Sequence, residues 1–225
     1  MHHWVIQIGN MSLNMDTLLT MWLCMAFLIA VAYFMTRNIS IIPNKMQLAG
    51  EKIITAFWGL TDSMIGKEGR KHIPIVASLF LFIVVSNLCG QLPWKLIHLP
   101  SGEFASPTND INLTGALALI VLVYYTVVGI AKKGFKYFLH GFSLIDIILF
   151  LVELLEMVTR PLTLALRLFA NILAGEILIT ALIGICAYVL PLPIMFFELL
   201  VAFIQALVFM MLTIAYISSA IGEEH

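Results

Sequence analysis

Residues Leu162–Ala187 read LTLALRLFANILAGEILITALIGICA, an apolar run with one cation, Arg167, set inside it. Crossing a hydrocarbon core of about 30 Å takes about 20 predominantly apolar residues in a helix, so the run is long enough to span. A cation at the centre of a bilayer costs about 2.5–3.5 kcal/mol on insertion scales. A guanidinium stays protonated in proteins, so it cannot escape that cost by losing its charge. A charge kept at such a depth is a functional-site hypothesis by default. Arg167 also has company: Asn171 one turn on, Glu176 beyond it, then Glu198 and Gln205 in the next apolar segment.

The rest of the chain agrees with a membrane setting. Of its 225 residues, 61% are hydrophobic and 11% charged, against about 45–50% and 25% in soluble domains. The expected fold is an all-α integral membrane protein, residues 1–225 forming one domain. A net charge of −1 gives no ground for a nucleic-acid partner. Cys24, Cys89 and Cys186 lie in or near apolar segments without framework spacing and read as small apolar residues. His2 and His3 at the terminus are not read as a metal site, and neither a metal nor a cofactor is expected. The opening MHHWVIQIGNMSLNMD has no basic n-region and no small-residue cleavage site, so the first apolar run is read as a retained span.

Hydropathy sets out the spans. Leu18–Met35 is the first, closed by Arg37 and Asn38. In Asn44–Ile65, Lys45, Glu51, Lys52 and Asp62 interrupt Leu48, Ile53, Ile54, Phe57, Trp58 and Leu60, which fits an amphipathic helix on the membrane surface. Ile73–Leu92 and Asn112–Ala131 are the second and third spans. Leu144–Ala187 then runs without a polar loop, broken only by Asp146, Glu153, Glu156, Arg160, Pro161 and Arg167. As one helix it would be about 65 Å long, twice the hydrocarbon core. Two readings stay open: one oblique helix, or two poor spans joined at Arg160-Pro161. Pro191-Leu192-Pro193 marks a turn, and Ile194–Ile221 is the last long apolar helix.

With five spans and the N-terminus outside, Arg37, Lys45, Lys52, Lys67, Arg70, Lys71, Lys132, Lys133 and Lys136 fall inside and only Lys95 outside. That satisfies the positive-inside rule.

Helical spacing places Arg160, Leu164, Arg167, Asn171, Ala174 and Leu178 on one stripe, and Glu198, Ala202, Gln205 and Phe209 on another. Glu176 is nine residues from Arg167, about half a rotation away, so the two do not pair within a straight helix and serve different aqueous spaces. Glu156 and Arg160 have the spacing of an ordinary i,i+4 ion pair. The remaining set marks an ion or proton path. A carboxyl group in such a path can take up and release a proton, whereas an arginine acts as a fixed barrier and transient counter-ion.

These residues resemble a known family. Arg167-Leu-Phe-Ala-Asn171 followed by Ala174-Gly175-Glu176 is similar to the signature of subunit a of rotary (F-type) ATP synthases. Ile204-Gln205-Ala206-Leu207-Val208-Phe209 and Ala215-Tyr216-Ile217 resemble that family's last helix, Pro107-Thr-Asn-Asp110-Ile-Asn112 its outer loop, and Ser86-Asn87 its second span. The resemblance runs from about Ile73 to the C-terminus, and the N-terminal 70 residues match in general plan.

It implies a non-catalytic stator subunit with two offset half-channels that pass H⁺ or Na⁺ to and from the c-ring. The last two helices would form a tilted hairpin against that ring. By the same resemblance, Arg167 separates the half-channels, with Asn171 and Gln205 near it. Glu176, Glu198, Asn109 and Asp110 belong to the outer half-channel, and Glu153, Glu156 and Arg160 to the inner one. Partners would be the c-ring, the peripheral-stalk b subunits, the remaining ATP synthase subunits and the lipid bilayer. The expected location is a bacterial plasma membrane, with an organellar energy-transducing membrane as the alternative. Ala170 stands where many members carry glycine, and Glu198 where others often carry histidine or a small residue.

Two other classes fit less well. A secondary ion-coupled transporter should show inverted repeats with broken helices, and no internal repeat is present. An intramembrane protease needs a Ser–His pair, an aspartate pair or an HExxH site, and the spans carry none.

Overall fold

The computed structural model describes residues 5–8, 11–37, 39–91, 107–134, 144–185 and 191–222. Its membrane part is all-α, with five helices among the described residues long and apolar enough to cross a bilayer. They are α1 (Met15–Thr36), α3 (Ile73–Gln91), α4 (Ile111–Lys133), α5 (Leu144–Ile185) and α6 (Pro191–Ile221). Between the first two lies α2 (Lys45–Met64), whose charges keep it from qualifying as a span. Ahead of α1 stands an antiparallel pair, β1 (Val5–Ile8) and β2 (Met11–Asn14), with Val5 opposite Asn14 and Ile8 opposite Met11. Nothing in the hydropathy reading anticipated it, since four-residue strands are too short for a period-two pattern to stand out.

Local chemistry accounts for the helix ends. The Asn44 side chain accepts the Lys45 N–H at 2.8 Å, and Asp110 accepts that of Asn112 at 2.9 Å, each satisfying a first-turn donor. Gly134 ends α4 at φ 64°, and Gly66 turns the chain out of α2 at φ 79°, a region that disfavours any side chain.

α3 packs on α6, α4 on α5 and α6, and α5 on α6, while α1 stands at the edge against α3 and α2. The shared core centres on Ile83, Leu168, Phe209, Ile214 and Ile217, all at 0% exposure. Apolar burial gives no drive between helices already in lipid, so close packing must supply the cohesion. Buried Ala118, Ala165, Ala202, Ala206 and Ala220 let the backbones approach. Trp22, Phe27 and Ile29 on α1 and Phe196 and Phe197 on α6 face outward. In water such an apolar surface would drive association, and in a bilayer the acyl chains cover it.

Two groups of contacts mark the ends of the bundle. At one end, Asn14 Nδ2 donates to Asp110 Oδ2 at 2.9 Å, Thr108 Oγ1 to Asn87 Oδ1 at 2.8 Å, and Asn87 Nδ2 to the Ala202 carbonyl at 3.1 Å. At the other, Lys132 meets Glu68 at 3.0 Å, Arg70 Nε donates to Asp62 at 3.0 Å, and Ser218 Oγ donates to the Met64 carbonyl at 3.1 Å. The second end carries the basic residues.

α5 is one helix and continues through Pro161. The ring removes the hydrogen bond to the Met157 carbonyl, a defect membrane helices tolerate when neighbours and hydroxyl groups re-satisfy the backbone. Just beyond the ring, Thr163 Oγ1 donates to the Thr159 carbonyl at 2.8 Å and the Arg160 carbonyl at 3.0 Å, neither of them the carbonyl that the proline frees. α5 and α6 pair antiparallel, for Arg160 reaches Ser219 at one end and Gly175 meets Glu198 further along. Ser219 lies two residues before α6 stops, so Leu144–Thr159, about 24 Å of helix, runs on past the end of α6. That overhang accounts for much of the excess length.

Candidate functional site

Arg167 sits on the outer side of the α5/α6 hairpin. Its neighbours on α5 divide cleanly: Leu164, Ala165, Leu168 and Ile172 are buried, while Leu162, Leu166, Ala170, Ala174, Ile177 and Leu178 are exposed. Arg167 itself is exposed, and Asn171 is half-buried at the seam. The stripe read from spacing is therefore split, with Leu164 in the core and Arg167 outside it. Among the described residues Arg167 makes no ion pair and no side-chain hydrogen bond. Its charge faces out of the chain.

Glu198 is placed quite differently. It is 8% exposed on α6 and its carboxylate occupies the notch at Gly175 of α5. A Cβ built on Gly175 would overlap that carboxylate and stand 3.0 Å from Glu198 Cγ. Glycine is what lets a long acidic side chain lie on the helix backbone there. Gly175 is eight residues beyond Arg167, about 12 Å along α5. The antiparallel register brings Gln205, 9% exposed, level with the Arg167–Asn171 turn, between the arginine and the glutamate. Glu176 lies within α5, and its side chain is outside the described residues, as is that of Glu153.

The end of the bundle nearer Glu198 is held by amides. Asn87, 1% exposed, joins α3 to Thr108 in the Pro107–Asn109 turn and to the backbone of α6 one turn from Glu198. Asp110 accepts from Asn112 twice, backbone and side chain, and from Asn14 of the N-terminal hairpin. The structure thus brings Asn109 and Asp110 to the Glu198 end of the hairpin.

At the opposite end Arg160 pairs with Glu156, donates to Ser219 Oγ at 3.1 Å and lies 5.1 Å from the centre of the Tyr216 ring. These contacts fasten α5 to the last turn of α6. Nearby, on the surface, the hydrogen bond from Arg70 holds the Asp62 carboxyl below the usual carboxylate range. Spacing alone revealed the Glu156–Arg160 pair. It did not reveal Gly175 as a seat, Asn87 as a clasp, or the reach of Asn14 to Asp110. The first two had a signal in the quoted motifs, a glycine beside a glutamate and an asparagine in an apolar span, and Asn14 had none.

In a wider comparison, the family model described as ATP synthase A chain matches residues 18–218, a stretch that takes in all five spans up to the last turn of α6. The chain belongs to the ATP synthase A chain family. It is 42% identical over 224 residues to the ATP synthase subunit a of Gloeobacter violaceus, an alignment covering 99% of this chain and 90% of that relative. Within an ATP synthase A chain, the residues quoted from α5, α6 and the Pro107–Asn112 segment are the motifs that carried the resemblance, and they converge on the α5/α6 hairpin. Among the described residues no three His, Cys, Asp or Glu side chains group as metal ligands.

Proposed function

We propose that this chain is the ion-conducting stator subunit of an F-type ATP synthase, passing H⁺ or Na⁺ through two offset half-channels to and from a rotor ring. One observation carries the reading: Arg167 lies exposed on a membrane helix and has no ion-pair partner among the described residues. Leaving that cation against lipid is costly, so a partner in the assembly supplies the opposing charge. A carboxylate on a passing c-ring subunit has the right sign and can be neutralised by protonation, so it can leave the arginine again.

Arg167 then divides the two half-channels, with Asn171 and Gln205 bordering it. Glu198 in its glycine notch, together with Glu176, Asn109 and Asp110, lines the half-channel at the end away from the basic residues. Glu153, Glu156 and Arg160 border the inner one, where the Glu156–Arg160 pair serves as wall. The chain performs no bond-making chemistry in this scheme. Moving one charge through 100 mV supplies about 2.3 kcal/mol, so several ions pass for each ATP made. The c-ring, the peripheral-stalk b subunits and the other synthase subunits are its partners, in a bacterial plasma membrane.

ATP-driven ion uptake by inverted vesicles holding the complex tests the reading, with pH quenching and labelled Na⁺ followed in parallel. In Arg167→Ala, uptake is lost while the complex still assembles, and passive ion leak rises. Uptake that survived the substitution would return Arg167 to a structural role. The wild-type signal names the ion.

A further inference from the structure

Cys24 on α1 and Cys89 on α3 come together although 65 residues separate them, their sulfurs 3.5 Å apart. Nothing in the conducting path uses either thiol. Cys24 is 2% exposed, packed at the α1–α3 contact, and Cys89 is partly exposed in the last turn of α3. A disulfide needs its sulfurs at about 2.05 Å, so two sulfurs already in contact must close by about 1.5 Å to bond. Their position is equally telling. They sit towards the end of the bundle that carries Asn14–Asp110, opposite the basic end. Basic residues mark the cytoplasmic side, so Cys89 lies towards the outer end of α3, and Cys24 meets it nine residues, about 14 Å, inside α1.

We propose that Cys24 and Cys89 are an oxidisable dithiol, and that a small organic disulfide converts them into a covalent crosslink between the first and second membrane spans. The half-exposed Cys89 reacts first. Its thiolate attacks one sulfur of the organic disulfide, forming a mixed disulfide and releasing one thiolate. Cys24 then loses its proton and attacks Cys89 Sγ, displacing the second thiolate. The net change is two protein thiols and one organic disulfide giving one protein disulfide and two small thiols, with two electrons passing to the reagent. α1 is the edge helix of the bundle and carries the hairpin that reaches Asp110, so the crosslink ties the most peripheral span to the centre.

The test uses the assembled synthase in its membranes, with Cys186→Ser as background so that two cysteines remain in this chain. Membranes are treated with bis(2-hydroxyethyl) disulfide, quenched with N-ethylmaleimide, digested and analysed by peptide mass spectrometry. Most copies should carry a Cys24–Cys89 linkage that dithiothreitol removes. In Cys24→Ser the reaction should stop at a 2-mercaptoethanol adduct on Cys89. A persistent adduct on Cys89 with Cys24 present, or two unmodified thiols, would overturn the proposal. The arm with both cysteines decides the matter even if a serine variant fails to assemble.

Discussion

Glycine at position 175 and glutamate at 198 act as one unit, since the missing Cβ is the space the carboxylate fills. Gly175→Ala forces Glu198 or α6 aside, and overpacking of this kind costs about 1–3 kcal/mol. The expected outcome is an assembled subunit with a clearly lower initial rate of ATP-driven ion uptake, and a wild-type rate would show that the seat is dispensable. Asn87 is a purely connective residue by contrast. Asn87→Ala removes both the Thr108 and the Ala202 bonds, and interhelical hydrogen bonds in membranes are worth about 0.6–2 kcal/mol. Thermal dissociation of the detergent-solubilised complex should begin at lower temperature, and an unchanged profile would remove Asn87 from the framework.

At the scale of elements, the α5/α6 hairpin is fastened by Arg160, whose planar guanidinium serves Glu156, Ser219 and the Tyr216 ring together. Lysine cannot reproduce that fork. Both Arg160→Ala and Arg160→Lys should therefore speed amide hydrogen exchange at Ser218–Ile221, whereas protection kept by the lysine variant would reduce the role to charge alone. The α2–α3 connection carries a pH-dependent contact. Arg70 lowers the Asp62 pKa in the folded state, so the contribution of the pair is fully present above the unfolded carboxylate range and is lost as pH falls through the lowered folded value. Asp62→Asn should loosen Lys67–His72 at neutral pH and make no difference in strong acid. Exchange measured at both conditions checks the sign, and an equal effect at both would count against it. The exposure of this pair keeps the effect small.

For the whole molecule, the proposed function has a rotor run along the exposed face of α5. Cysteines at Leu166 and Ala170 should crosslink to engineered cysteines on the c-ring, while one at Leu168, fully buried, should not. Crosslinking from Leu168 in preference would turn the hairpin around. Much of this architecture was open to reading from the chain alone. A bilayer forces each crossing segment to satisfy its backbone internally, so runs such as Leu18–Met35 and Ile194–Ile221 announce themselves as helices. A charge that lipid cannot solvate, such as Arg167, is equally conspicuous. The sequence by itself thus determined the membrane class, the first three spans, the last long apolar helix and the polar residues worth following, while the structure made Leu144–Ile185 a single helix. Only the tertiary structure decided that Arg167 faces out while Leu164 faces in, that α5 overhangs α6, that Glu198 lies on Gly175, and that Asn14 reaches Asp110. Those facts depend on how helices distant in sequence are rotated and registered against one another. Periodicity describes each helix singly and carries no information about its neighbour's phase.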